Sequence, residues 1–169
     1  IGQTFPEPTT TAAGGRMLQL IEMFTSHGYG ITFASSASSS EKSFNLDSLG
    51  VTTQQIVIND SSFDDFVRQL NPTLVLFDRF VTEEQFAWRV TQSCPKALKI
   101  LDTEDLHFLR KARQQALKDA TDVKDANLFT ETAKREIASI LRCDLSLIIS
   151  EFEMKLLTDT FAVSKEILY

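Results

Sequence analysis

The chain has 169 residues, of which 43% are hydrophobic and 24% charged, and its formal net charge is −6. A single domain of this length buries roughly 70% of the surface of its unfolded chain, so no disulfide or metal is needed for stability. The acidic balance argues against a nucleic-acid-binding surface, which requires cationic charge. No apolar run approaches the roughly 20 residues of a membrane span, and no signal peptide is recognisable.

Helical and strand patterns alternate along the chain. Continuous apolar runs predict strands covered on both faces, which is typical of parallel sheets. In chain order we predict a helix over 15–26, strands over 30–34 and 55–58, a helix over 63–70, a strand over 73–77, a helix over 86–90 after a capping box at 82–85, a strand over 97–101, helices over 104–118 and 128–141, a strand over 145–149, a helix capped by Ser150, and a strand beginning at 166–169.

This alternation predicts an α/β fold: a doubly wound, mostly parallel Rossmann-like sheet with helices on both faces. Ile1 and Gly2 would end a first strand, and because the chain begins without Met we expect further residues upstream. The serine-rich segment 35–43 predicts an exposed, mobile loop.

Small and ionisable residues follow the predicted strands. In an open parallel sheet, ligands bind beyond the carboxyl ends of the strands, so these residues mark the edge at which we expect a site. The alternative for each of them is a cap on the following helix. The positions are Gln3, Thr4, Ser35, Ser36, Asn59, Asp60, Asp78, Arg79, Asp102, Thr103, Glu104, Asp105, Ser150 and Glu151.

The loop over residues 2–16 runs from a strand end into a helix through Gly14 and Gly15. Glycines allow backbone N–H groups to approach an anion, and a helix N-terminus favours negative charge. The glycine spacing matches neither a dinucleotide fingerprint nor a P-loop, which argues against a nicotinamide-dependent enzyme. The alternative is a tight loop with a packing glycine.

A second candidate site begins at Asp102, after which Glu104, Asp105, His107 and Arg110 follow in close succession. Carboxylates beside an imidazole raise its pKa and create a group for proton transfer or hydroxyl orientation. Carboxylates alone at this spacing would leave a hard-cation site incomplete, so we expect no metal. The alternative is that Asp102 and Asp105 cap the helix and His107 lies on the surface.

Three other residues have structural explanations. We expect His27 to complement the C-terminal dipole of the first helix. Cys94 and Cys143 form no disulfide framework and have no adjacent base, so we expect packed thiols in a reducing, cytosolic compartment.

The sequence resembles the N-terminal domain of GT-B glycosyltransferases of the group one type, over nearly its whole length. The resemblance is carried by FPEP at residues 5–8, by Gly14-Gly15-Arg16 and the helix after it, and by HGYGITFA at residues 27–34. Stretches of bacterial members resemble ILDTEDLHFLR at residues 100–110 and RCDL at residues 142–145. Such enzymes have two Rossmann-like domains across a cleft, hold the acceptor mainly in the N-terminal one, and usually retain anomeric configuration without a required metal.

The resemblance also implies roles for individual residues. Gly14 and Gly15 would lie near the donor phosphates or the transferred sugar, with Arg16 behind them. Asp102 and His107 are the catalytic candidates, although many members place a histidine directly after this strand, where this chain has Asp102. Among the strand-end residues, the acceptor-side candidates are Ser35, Asp60, Asp78, Arg79, Glu104 and Glu151.

The expected function is therefore the acceptor-side half of a retaining, nucleotide-sugar-dependent glycosyltransferase that acts on a glycan or lipid-linked acceptor. It needs no cofactor beyond the donor substrate. We expect a C-terminal domain to supply the donor site, and the isolated chain to be nearly inactive, to expose a face that can dimerise, and to be cytoplasmic or peripheral at the inner membrane. The alternative is a non-catalytic Rossmann- or flavodoxin-like binding or regulatory module.

Overall fold

The computed structural model describes residues 1–169 and contains six α-helices and five β-strands. The elements are α1 (Ala12–Ser26), β1 (Thr32–Ser35), β2 (Thr52–Gln55), α2 (Ser62–Leu70), β3 (Leu74–Asp78), α3 (Arg79–Ser93), β4 (Leu98–Asp102), α4 (His107–Lys118), α5 (Glu131–Arg142), β5 (Leu145–Leu147) and α6 (Glu151–Phe161). Short 3₁₀ turns lie at Leu46–Leu49, Val123–Asp125 and Lys165–Ile167.

Every strand pair is parallel, which confirms the predicted α/β, Rossmann-like class. The strands form two sheets, one of β1 and β2 and one in the order β3-β4-β5. The chain divides into two compact units, which are described separately below. Unit 1 contains residues 1–72 and 85–96, and unit 2 contains residues 73–84 and 97–169.

Unit 1 is built on the two-stranded sheet. Gly2 forms a parallel bridge with Ser35, as expected for the end of a preceding strand. The predicted strand at 55–58 is wrong, because β2 lies three residues earlier and consists of exposed polar residues. Backbone pairing with β1 holds this edge strand, whereas Val57 and Ile58, which suggested a strand, lie exposed after it.

The serine-rich loop of unit 1, which we predicted to be mobile, is held in place by hydrogen bonds. Ser40 Oγ donates to Glu7 Oε1 at 2.5 Å, and the Phe44 backbone N–H donates to the Pro6 carbonyl at 2.8 Å. These bonds join the loop to the proline-containing segment, which is 33 residues away in sequence at the Ser40 contact. Sequence composition predicts an exposed loop here but carries no sign of this partner.

Unit 2 is built on the three-stranded sheet. Phe77 and Leu101 of this sheet and Phe108 of α4 have no exposed surface. Asp78 and Asp102 are register partners at the carboxyl ends of β3 and β4. The predicted strand at 166–169 is right only at its end, where Leu168 bridges to Ser146 after a 3₁₀ turn.

Two acidic residues near the start of α3 bind α5. The buried Glu83 carboxylate accepts hydrogen bonds from Ser139 Oγ at 2.7 Å and from Arg142 Nε at 2.8 Å. The more exposed Glu84 accepts from Arg135 Nε at 3.0 Å. The predicted capping box at 82–85 is wrong, because α3 begins at Arg79 and its acidic residues are used for this tertiary contact instead.

We predict that Glu83→Ala lowers the free energy of unfolding by about 2–4 kcal/mol, because a buried, ion-paired carboxylate loses all its bonds. Glu84→Ala is the matched control on the next residue, and loss of its more exposed pair should cost about 1 kcal/mol or less. Urea unfolding followed by circular dichroism measures both. Equal losses would contradict the assigned role of Glu83.

Candidate functional site

The glycine loop of unit 1 is organised by Glu7 and Thr11. The backbone N–H groups of Thr10 and Thr11 donate to the Glu7 carbonyl at 3.0 Å. Thr11 then caps α1, since its Oγ1 accepts from the Gly14 N–H at 3.0 Å. Hydrogen bonds from Ser40 and Thr10 lower the pKa of the Glu7 carboxyl, so this residue is ionised at neutral pH.

Gly14 and Gly15 have different surroundings in the first turn of α1. A Cβ at Gly14 would lie 2.5 Å from the Glu7 backbone nitrogen, so Gly14 is required for close packing of the loop on the helix. A Cβ at Gly15 would meet no atom within 4 Å. The packing alternative therefore explains Gly14, whereas Gly15 leaves open space beside a helix N-terminus, where anions are favoured.

Two other candidates of unit 1, Ser35 and Asp60, serve local structure. Ser35 is fully buried at the end of β1, and its Oγ accepts from the Ala37 N–H at 3.1 Å. Asp60 Oδ1 accepts from the Ser62 N–H at 2.9 Å at the start of α2, and bonds from Ser62 lower its pKa. Arg16 lies half-buried in α1. Asp60 thus follows the capping alternative.

We predict that Gly14→Ala lowers the free energy of unfolding by about 2 kcal/mol or more, because the added methyl group collides with backbone atoms that cannot rotate away. Gly15→Ala is the matched control and should raise stability by about 0.5–1 kcal/mol through helix propensity. Thermal and urea unfolding of the two variants checks the difference. Equal effects would show that Gly14 does not pack on Glu7.

Unit 2 gathers most of the other candidates at the carboxyl ends of β3 and β4. Asp78 and Asp102 are 4% and 0% exposed. Arg79 donates to both oxygens of Asp78, from Nε at 2.8 Å and from Nη2 at 3.0 Å. Although burial opposes it, the pKa of Arg79 is raised by Asp78 and by the charges of Glu104 and Asp105. The guanidinium therefore stays charged in a fixed orientation.

Arg79 and Glu104 adopt the left-handed backbone conformation just after these two strands. Their φ angles are +69° and +63°. This conformation costs a residue with a side chain on the order of 1–3 kcal/mol and tends to persist at sites with a function. Two such residues beyond neighbouring strand ends mark this edge as the candidate functional site.

His107 lies at the start of α4, with its ring packed edge-on against Phe80 at a centroid distance of 5.5 Å. Its Nε2 is 3.6 Å from Asp105 Oδ1 and makes no hydrogen bond. The expectation that carboxylates raise the imidazole pKa is wrong. Burial lowers the pKa, and the charges of Arg110 and Arg79 lower it further, against the opposing effect of Asp105. His107 is thus neutral at neutral pH.

The N-terminus of α4 is capped by residues from other helices. The N–H groups of His107 and Phe108 donate to the two oxygens of Glu136 at 3.0 and 2.9 Å, and the Leu106 N–H donates to Glu153 Oε1 at 3.2 Å. These three amides are therefore capped by Glu136 and Glu153 and not, as the alternative had it, by Asp105. Asp105 instead accepts from Arg110 Nη1, at 2.8 Å on its Oδ1.

Sequence reasoning missed Glu136 and Glu153. Glu136 is buried on the same face of α5 as Ala133 and Ile140. The sequence signal that could have identified it is a charged residue within the apolar face of an amphipathic helix. Burial raises the pKa of Glu136 to about 7, although the two backbone bonds oppose the shift. Burial also raises the pKa of Glu153, whose Oε2 is buried without a hydrogen bond.

The remaining residues named from the sequence lie at helix ends or in the core. Glu151 is the exposed first residue of α6, and Ser150 caps that helix as predicted by accepting from the Glu153 N–H at 3.2 Å. His27 follows α1 with Nδ1 at 2.8 Å from the Met23 carbonyl, as expected for a C-terminal cap. Both cysteines are packed thiols as predicted, and burial raises the pKa of Cys143 to about 12.

The candidate residues therefore fall into two groups. The strand-end group of unit 2 contains Asp78, Arg79, Asp102, Glu104 and His107, whereas the glycine-loop residues belong to unit 1.

No group of three or more His, Cys, Asp or Glu side chains is placed to hold a metal ion, and no helix is long and apolar enough to cross a membrane. No protein-family model matches the sequence, and no curated protein is significantly similar to it.

We predict that Glu136 makes the stability of the protein depend on pH. The folded state keeps the proton between about pH 4.5 and 7, where the unfolded state releases it, so the free energy of unfolding falls as pH rises through this window. The glutamine side chain of Glu136→Gln cannot titrate. In this variant the decrease in the free energy of unfolding across the window should be smaller by on the order of 1–3 kcal/mol.

Urea unfolding of the wild type and Glu136→Gln at several pH values between 4 and 8 measures the difference in slope. Glu131→Gln, an exposed position on the same helix, is the matched control and should keep the wild-type slope. Identical slopes for wild type and Glu136→Gln would contradict the role given to Glu136.

Proposed function

We propose that this chain is the acceptor-side half of a retaining, nucleotide-sugar-dependent glycosyltransferase. The observation that carries the proposal is the strand-end group of unit 2, in which two buried aspartates and two strained residues follow neighbouring parallel strands. The resemblance of the glycine loop and of residues 100–110 to group one enzymes supports the same function. A glycan or lipid-linked sugar is the proposed acceptor.

The strand-end group offers the chemistry that an acceptor sugar requires. Carboxylates accept hydrogen bonds from sugar hydroxyls, and a neutral imidazole can accept or donate one. Arg79 and Arg110 are each neutralised by an aspartate, so the group has little attraction for a further anion. Of the two catalytic candidates, His107 is 13% exposed, and we assign it to the attacking hydroxyl. Asp102 has no exposed surface, so we assign it a positioning role within the strand-end group. Asp78 positions Arg79 against the acceptor.

In the transfer step, the acceptor oxygen bonds to the anomeric carbon while the bond from that carbon to the phosphate oxygen breaks. The nucleotide leaves with the electron pair, and the hydroxyl proton passes to a base. Fixed polar groups contribute mainly by holding the hydroxyl against the anomeric carbon, on the face from which the phosphate leaves, because retention of configuration requires bonding on that face. At the glycine loop, the N-terminus of α1 beside Gly15 is suited to phosphate charge.

The alternative function, a non-catalytic binding or regulatory module, has one observation in its favour. Gly14 is explained by packing against Glu7, which removes half of the phosphate-binding signal of the glycine pair. This alternative predicts that a protein containing the chain turns over no nucleotide-sugar.

We predict that a full-length gene product containing this chain transfers sugar from at least one common nucleotide-sugar. We further expect Asp102→Asn to lower the rate by about 10²-fold or more, because it disturbs the geometry of the strand-end group. Asp144→Asn is the matched control at the other end of the same sheet, where Asp144 Oδ2 accepts from the Lys99 N–H. The measurement is transfer of radiolabelled sugar from UDP-, GDP-, ADP- and CMP-sugars to a mixed glycan and lipid acceptor pool.

Absence of transfer and of donor hydrolysis with every donor would contradict the proposed function. Equal activity of the wild type and both variants would contradict the role of Asp102 while leaving the enzyme class standing.

We further predict that Glu104→Gly lowers transfer without lowering stability. Relief of the left-handed strain offsets the larger entropy of glycine in the unfolded chain, so the melting temperature should stay within a few degrees of the wild type. Ala162→Gly, at φ +54° after α6, is the matched control and should keep full transfer activity. Equal activities of the two variants would argue against a functional reason for the strain at Glu104.

A further inference from the structure

Unit 2 contains a cavity of about 460 Å³ between α4 and the segment 119–132, which leads into α5. The cavity is outside the strand-end group. Lys111 of α4 lines the cavity. It lies one helical turn after His107, which is about 6 Å along the helix axis. A ligand that occupied the strand-end group could therefore continue along α4 into this cavity.

The cavity has a small apolar part and a polar wall. Ala112 and Ala116 are buried and line it, so no large side chain of α4 fills the space. Gln115 Nε2 donates to both oxygens of Asp119, at 2.9 and 3.0 Å, which fixes the two side chains as a pair. Asn127 Oδ1 accepts from the Phe129 N–H at 3.0 Å, which leaves its amide nitrogen as a donor.

The charges of the lining argue against an anionic ligand. Lys111 is the one cation, and its Nζ is 3.4 Å from Thr132 Oγ1, whereas Asp119 and Asp125 are both carboxylates. Fixed pairs of amide and carboxylate groups match the adjacent hydroxyls of a sugar ring, and a small apolar surface suits its C–H face. A phosphate or nucleotide would instead meet net negative charge.

We propose that this cavity is a carbohydrate subsite, which holds the part of an uncharged oligosaccharide acceptor that lies away from the reacting sugar. The role as acceptor subsite rests on the proposed function, whereas binding of an oligosaccharide in the cavity does not. The acceptor is on this account a chain of several sugars rather than a monosaccharide.

The experiment is a ¹H–¹⁵N NMR titration of this chain with maltotetraose, cellotetraose and chitotetraose, and with glucose and N-acetylglucosamine. We expect at least one tetrasaccharide to shift the amide signals of residues 111–132 saturably, and its monosaccharide to bind about tenfold more weakly or not at all, which corresponds to about 1.4 kcal/mol. Gln115→Trp should abolish these shifts by filling the cavity. Gln114→Trp, at the neighbouring exposed position that does not line the cavity, should preserve them.

Failure of all three tetrasaccharides to shift these signals at millimolar concentration would overturn the proposal, as would equal loss of binding in both tryptophan variants. A stronger response of the same signals to UDP or inorganic phosphate would also overturn it, because it would identify an anion site. Saturable tetrasaccharide binding in a protein that transfers no sugar would support the subsite and contradict only the proposed function.

Discussion

The structure of unit 2 depends on how the buried N-terminus of α4 is satisfied. The first amides of a helix have no partner within the helix, and a buried amide without an acceptor costs on the order of 1–3 kcal/mol. Here Glu136 from α5 and Glu153 from α6 accept from Leu106, His107 and Phe108. The carboxylates lose solvation on burial but gain these bonds and the favourable end of the helix dipole. Three helices are thereby joined at the point where the chain leaves β4.

Because residues of α5 and α6 cap α4, the residues of the β4–α4 connection are not needed as caps of these amides. Because Glu136 and Glu153 satisfy the helix, Asp105 is available to bind Arg110, and Glu104 can adopt a left-handed conformation. Directly after the neighbouring strand, Arg79 has the same backbone conformation, and its side chain donates to Asp78. The result is a strand-end group in which the only cation, Arg79, is paired with Asp78 and His107 is neutral. Such a group is suited to hydroxyl recognition, which is the reason for favouring a sugar acceptor over an anion.

The sequence predicts the helices and the parallel strands well because both depend on local patterns of apolar residues. It fails for β2, since an exposed edge strand held by backbone pairing needs no apolar residues. The start of α3 is misplaced because Glu83 and Glu84 contact α5 more than 50 residues away instead of capping their own helix. The caps of α4 are equally remote in sequence, at separations of 28, 29 and 47 residues.

In the candidate site, too, the features set by local pattern are predictable and those set by contacts remote in sequence are not. The rule that polar residues follow buried strands correctly places Asp78 and Asp102 side by side at the carboxyl ends of β3 and β4, because it follows from topology. That this edge is a functional site stays a prediction. The pKa of His107 cannot be read from sequence, since the nearby carboxylates are visible whereas burial and the approach of Arg79 are not. Gly14 and Gly15 are likewise indistinguishable in sequence, and only the contact with Glu7 assigns packing to the first of them.

The most direct test of this account is an NMR titration that follows the side-chain carboxyl carbon of Glu136 together with the amide protons of His107 and Phe108. The account predicts one shared midpoint near pH 7, because the carboxyl that titrates is the acceptor of both amides. A Glu136 midpoint at the ordinary glutamate value, with amide signals that do not follow it, would show that this carboxyl does not cap α4.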